Sequence, residues 1–170
     1  RNTHDDISCT VIYFRNPRQT LVLSGPPFDE GRDGEFARRL LSPAKKTIVC
    51  GGTTAQIVSR ELGREVQVDM NTVANNLPPS SKIAGVDLVT EGILTLTRAA
   101  QYLDEGVTPN DPAGRMVTQL LESDSIHFVI GTRVNEAHQD PSLPIDLEMR
   151  RNIIKRMATT LRQKYLKLVE

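Results

Sequence analysis

Val49-Cys50-Gly51-Gly52-Thr53-Thr54-Ala55 is the stretch that sets the fold class. The residues leading into it, Thr47-Ile-Val-Cys50, form a short apolar run of the buried-strand kind. Two glycines follow. Residues 53–62 then place Ala55, Ile57, Val58 and Leu62 on one helical face, and Gly63 closes the helix. A buried strand that feeds an amphipathic helix is half of a parallel sheet covered by helices.

The same alternation continues on both sides. Glu35-Phe-Ala-Arg-Arg-Leu-Leu41 reads as a helix with Asp33 as its N-cap. Val66-Gln-Val68 is a short strand, and residues 71–81 read as a loop. Gly85-Val-Asp-Leu-Val89 is a strand whose start Asp87 marks, followed by a helix through Ile93, Leu96, Ala100 and Leu103. Asp111-Pro112 is an N-cap and N1 pair for a helix through Met116, Leu120 and Leu121. Ile126-His-Phe-Val-Ile130 is a buried strand, in which His127 reads as a hydrogen-bonded core residue. The end of the chain reads as one long amphipathic helix with Leu147, Ile153, Ile154, Met157, Leu161 and Leu168 in register. The expected fold is α/β: a three-layer domain over residues 26–170, with a mainly parallel sheet flanked by helices. Residues 1–25 read as a separate fragment. There Cys9-Thr-Val-Ile-Tyr-Phe14 and Thr20-Leu-Val-Leu23 are two strands of a β-hairpin.

Composition narrows the function classes. With 21 Lys+Arg against 21 Asp+Glu, the net charge is zero, which argues against bulk-charge binding to nucleic acid or to a membrane surface. Aromatics are 4% and Trp is absent, so a stacking platform for single strands is not expected. Apolar stretches are too short to span a membrane. Position 1, an Arg with no apolar leader after it, reads as internal to a longer cytoplasmic product. The two cysteines, Cys9 and Cys50, fit buried reduced residues of a cytosolic protein better than a disulfide framework.

The chemistry-bearing residues follow strands. Glycines at 51 and 52 turn the backbone tightly and expose N–H groups. The helix start adds unpaired donors, and Thr53 and Thr54 add hydroxyls. That is a cradle for a phosphate or carboxylate. It lacks a P-loop lysine, and the plain alternative is a glycine turn with a threonine cap. Glu91 leaves the 85–89 strand in the same way, and Thr132, Arg133, Asn135 and His138 leave the 126–130 strand. In a parallel sheet these loops share the carboxyl edge, where open α/β sheets place ligands. Cys50 is a nucleophile only if it escapes burial. The run Arg150-Arg151 with Lys155-Arg156 reads as a solvated face with acidic partners such as Glu148.

His4-Asp5-Asp6-Ile7-Ser8 ahead of a strand resembles the last metal-binding motif of the metal-dependent (PPM-type) serine/threonine phosphatases. Gly25-Pro-Pro27, residues 50–55, residues 85–92 and residues 131–141 resemble the carboxy-terminal extension of the bacterial stage II sporulation protein E type. The resemblance implies that Asp5 ligates Mn²⁺ or Mg²⁺ in a full-length phosphatase acting in signalling. The other carboxylates of that two-metal centre lie upstream of this chain, so the chain alone is expected to be inactive and to need no cofactor. It implies a regulatory domain that binds a small anionic ligand or a partner and biases the attached phosphatase. Two alternatives stand beside it. One is an enzyme acting on a phosphorylated small molecule, with Glu91 or His138 as acid/base. The other is a homodimerisation module using the long C-terminal helix.

Overall fold

The computed structural model describes residues 8–72, 76–133 and 143–170. The element order is β1 (Gln19–Ser24), α1 (Asp33–Arg38), β2 (Lys45–Cys50), α2 (Gly52–Leu62), β3 (Gln67–Val68), β4 (Ser81–Lys82), β5 (Leu88–Thr90), α3 (Ile93–Glu105), α4 (Pro112–Glu122), β6 (Ser125–Ile130), α5 (Leu143–Gln163) and β7 (Leu168–Val169). The seven-stranded sheet has the order β3-β4-β5-β2-β1-β6-β7. Strands β5, β2, β1, β6 and β7 run parallel, and β4 and β3 add antiparallel at one edge.

Strand alternation divides the side chains between two layers. Leu21, Leu23, Val49 and Val89 pack with Phe36 and Leu40 on the side of α1 and with Val58 of α2. Val22, Ile48, Leu88 and Ile126 pack under α3, α4 and α5, against Leu96, Met116, Met157 and Leu161. Each fully buried Leu, Ile or Met contributes ~1.5–3 kcal/mol by leaving water. Among the described residues, β6 lies next to the edge strand β7 and is only partly covered on both faces: His127 and Val129 on the α1/α2 side and Phe128 and Ile130 on the other are all partly buried. His127 is therefore not the core residue expected. It lies 3.4 Å from the Glu170 carboxylate through Nδ1.

The structure corrects the N-terminal organisation. Thr20 to Leu23 does not pair with residues 9–14. It sits in β1, between β2 and β6, so the α/β unit includes residue 19 and does not start at 26. A run apolar on both faces suits a central parallel strand covered on both sides, which is what β1 is. Residues 8–18 carry no secondary structure, and Val11, Ile12, Tyr13 and Phe14 are 73–90% exposed. Their strand-forming composition finds no partner among the described residues. Asp33 is also not a cap: it is the first residue of α1, and its buried carboxylate takes Arg60 at 2.6 Å and Arg133 at 3.4 Å. Leu168 is not part of the last helix. The chain turns after Gln163, with Leu166 at φ 53°, and Leu168–Val169 joins β6 as an edge strand. Asp87 serves the fold, accepting from the Thr47 N–H at 2.7 Å and the Thr47 hydroxyl at 3.0 Å. No helix among the described residues is long and apolar enough to cross a membrane.

The segment before β1 is held at its end. Arg15 donates to both carboxylate oxygens of Asp124 at 2.5 Å, and the Arg18 N–H donates to the same carboxylate at 2.7 Å. The Arg15 guanidinium, then the Arg18 N–H, hold Asp124 well below the usual carboxylate range. A depressed folded pKa gives stability that is complete above the unfolded value of about 3.9 and is lost as pH falls through the folded one. Asp124→Asn is therefore expected to lower Tm at neutral pH, and its gap from wild type should narrow as pH falls below about 4. Thermal melts of both proteins across that range check it. A gap independent of pH would assign the effect to something other than the carboxylate charge.

Candidate functional site

Register brings four strand ends into one row. Thr90, Cys50, Ser24 and Ile130 are aligned across β5, β2, β1 and β6. The residues that follow, Glu91, Gly51, Gly25 and Gly131, line the carboxyl edge. Neighbouring strands are ~4.8 Å apart, so the row is about 15 Å long. The predicted loops do share this edge, but they fall into two neighbourhoods.

The first holds Gly51, Gly52, Thr53, Thr54 and Glu91. Gly51 adopts φ 109°, ψ 138°, where a side chain is strained, and its N–H donates to the Thr90 carbonyl at 2.9 Å. The N-cap of α2 makes no side-chain bond, and Thr53 is exposed. Thr54 is buried, and its Oγ1 accepts from the Gly25 N–H at 2.9 Å, tying α2 to the end of β1. Glu91 already places a carboxylate over this helix start. Its Oε1 lies 3.8 Å from where a Cβ on Gly52 would stand, and its Oε2 accepts from the Gly92 N–H at 3.0 Å. A second anion here would meet that charge, with the Arg150 guanidinium as the nearby cation, 2.6 Å from where a Cβ on Gly25 would stand. Cys50 is fully buried, and burial pushes its thiol up to about 12 against the weaker pull of Thr90 and Arg150. It is a neutral side chain near pH 7 and no nucleophile.

The second neighbourhood holds Thr132 and a cleft absent from the sequence-level site. The cleft encloses about 370 Å³ between the loop after β1, α1 and the end of β6. Pro27, Phe28, Phe36, Val129 and Ile130 give it apolar walls, and Gly131 and Thr132 close it. Arg32, Glu35 and Arg39 stand along one wall. Arg133 is turned away from it, onto Glu30 at 2.6 Å and Asp33 at 3.4 Å. Those pairs, with Arg60 on Asp33, fix α1 against α2 and against the segment leaving β6. Chain direction explains the place. From β1 the chain passes to β2 on one side, whereas β6 lies on the other side of β1 and leads to α5 across the opposite face. Open α/β sheets bind ligands at such a reversal. A volume of this size lies in the usual range for small-molecule sites.

No family model, curated protein or solved structure matches the chain. Functional assignment therefore rests on this edge.

Asn135, His138 and Asp5 lie outside the described residues. Among the described residues, no three His, Cys, Asp or Glu side chains gather so as to hold a metal ion. On α5, Ile154, Met157 and Leu161 are buried inside the domain, against the sheet and α3/α4, and are not available to a second copy. On its polar side Arg156 pairs with Asp104 of α3 rather than with Glu148. Sequence reading missed Phe28, Phe36, Arg32 and Arg39. The available signal was Arg32, Glu35 and Arg39 spaced as i, i+3, i+7 directly after a strand.

Proposed function

We propose that this chain contains a regulatory ligand-binding domain attached to a bacterial cytoplasmic serine/threonine phosphatase of the metal-dependent type. Its ligand is a small anionic molecule that enters the cleft between α1 and β6, and its occupancy biases the attached catalytic domain. The observation that carries the ligand reading is the cleft's position at the β1/β6 reversal, with apolar walls and two arginines on its rim. The exposed Val11, Ile12, Tyr13 and Phe14 support attachment to a further folded unit, because four consecutive apolar side chains in water are a surface waiting for cover. The metal chemistry belongs to that unit, with Asp5 as one ligand.

The test is a thermal-shift screen of phosphorylated and carboxylated small molecules against wild type and Val129→Trp, which fills the cleft. A molecule at 100 times its Kd stabilises the wild type by ~2.7 kcal/mol and leaves Val129→Trp unmoved. Thr53→Val serves as the contrasting arm. Because Thr53 makes no cap bond, the variant keeps stability within ~0.5 kcal/mol and binds as wild type does. Binding lost in Thr53→Val and retained in Val129→Trp would return the site to the start of α2.

A further inference from the structure

The cleft contains its own anion. Arg32 donates to Glu35 Oε2 through Nε at 3.2 Å and through Nη2 at 3.1 Å, and Arg39 Nη2 donates to Glu35 Oε1 at 3.3 Å. The two guanidinium groups therefore converge on one carboxylate along one wall. All three side chains are roughly half exposed or more. Phe36 and Val129 give the same cleft apolar lining. Phe28, at 78% exposure, is an aromatic ring that the protein itself leaves uncovered.

We infer that Glu35 is a displaceable stand-in for the acidic group of the ligand, and that the ligand is an apolar, ring-sized body carrying one phosphate or carboxylate. This rests on the reading of the cleft as the ligand site. The reasoning is geometric and electrostatic. A forked pair of arginines suits a planar or tetrahedral oxyanion, because each guanidinium presents several N–H donors. Glu35 meets them at 3.1–3.4 Å, longer than the usual 2.7–2.9 Å of a charge-assisted bond. Exposed ion pairs of this kind hold their partners weakly, so a ligand that also buries a ring on Phe36 and Val129 can replace the carboxylate. Glu35 then turns to solvent at little cost. Bonded to both, the same carboxylate offsets the repulsion between the two guanidinium groups. It also raises the concentration at which any simple anion binds, so inorganic phosphate alone should not compete. Selectivity for a ring-bearing anion follows from the need for both contributions together.

The test uses 1-naphthyl phosphate, 1-naphthol and inorganic phosphate in calorimetric titrations of wild type and three variants. Glu35→Gln keeps the side-chain size and removes the charge. It is expected to tighten 1-naphthyl phosphate about three- to tenfold, the scale of two exposed ion pairs. It should leave 1-naphthol unchanged. Arg39→Met should loosen 1-naphthyl phosphate several-fold. Glu122→Gln makes the same change in net charge at the amino end of the sheet, where Glu122 pairs with Lys46, and should change nothing. Equal affinity of wild type and Glu35→Gln for 1-naphthyl phosphate would overturn the role of Glu35 and leave the cleft as the site. So would a gain matched by Glu122→Gln. If neither naphthyl compound binds wild type or Glu35→Gln, the cleft reading fails and the inference fails with it.

Discussion

Gly131→Ala is expected to lower the melting temperature by roughly 6–12 °C and to abolish binding in the cleft. A Cβ on Gly131 would stand 2.0 Å from the Pro26 carbonyl oxygen and 2.3 Å from that of Gly25. Both obstacles are backbone, so no side chain can swing aside. The loop after β1 and the segment after β6 would have to part. That movement breaks the two bonds that continue the β1/β6 ladder past the strands. These are the Gly131 N–H to the Ser24 carbonyl at 2.9 Å and the Arg133 N–H to the Pro26 carbonyl at 3.2 Å. Overpacking alone costs about 1–3 kcal/mol, and the lost bonds bring the total to ~3 kcal/mol or more. At the usual 2–4 °C per kcal/mol for a chain of this size, the shift above follows. Gly63→Ala is the control. Gly63 has φ 61°, and a Cβ there meets nothing within 4 Å, so only the left-handed strain of ~1–2 kcal/mol applies. Melts of both variants by circular dichroism decide the matter. A smaller loss for Gly131→Ala than for Gly63→Ala would show that the two loops do not pack as described.

That contact also explains why the cleft was hidden in the sequence. Strand character is local, but strand partnership is not. Thr20-Leu-Val-Leu23 and Cys9-Thr-Val-Ile-Tyr-Phe14 have the same β-branched, two-faced apolar composition. One becomes the centre of the sheet and the other has no strand partner among the described residues. Nothing in residue spacing separates those outcomes, because both runs satisfy the pattern of a strand covered on both sides. Once residues 20–23 are assigned to a hairpin, the loop after them no longer belongs to the carboxyl edge. Phe28, Arg32 and Arg39 then drop out of the candidate site. The elements that were legible are those whose evidence is local: the αL glycine closing α2 at Gly63, the glycine turn into α2, the capped start of α4. The two readings that failed at the far end depend on distant cover. Leu168 keeps helical spacing with Leu161 yet pairs with β6, and His127 lies in an apolar run yet belongs to a strand beside the sheet edge that is only partly covered on both faces.

Asp111→Ala should cost about 2–4 kcal/mol and roughly 5–15 °C in Tm. The sequence already marks Asp111-Pro112 as a helix start, and the structure gives the cap bond: Asp111 Oδ1 accepts from the Gly114 N–H at 2.8 Å. Pro112 at the first helical position needs no partner for a missing N–H, so the cap serves the donors that remain. The second bond was not legible. Asp111 Oδ2 accepts from the Tyr102 hydroxyl at 2.8 Å, joining the start of α4 to the last turns of α3. Asp111 and Tyr102 are both buried, so the bond between them is shielded from water. Loss of a cap costs ~0.5–2 kcal/mol, and loss of a buried hydrogen bond to a charged group costs ~1.5–3 kcal/mol. Asp111→Asn retains one carbonyl acceptor for the Gly114 N–H, and its amide can still meet the Tyr102 oxygen as a donor, so its loss should be clearly smaller. Tyr102→Phe removes the hydroxyl and leaves the cap, and should cost about 1.5–3 kcal/mol. Urea melts of the three single variants and the Asp111→Ala/Tyr102→Phe double variant close a cycle. The expected result is a double variant less destabilised than the sum of its singles, because both singles remove the same Tyr102–Asp111 hydrogen bond. Strict additivity would mean that the two side chains act independently, and that α3 and α4 are held together by their apolar contacts alone.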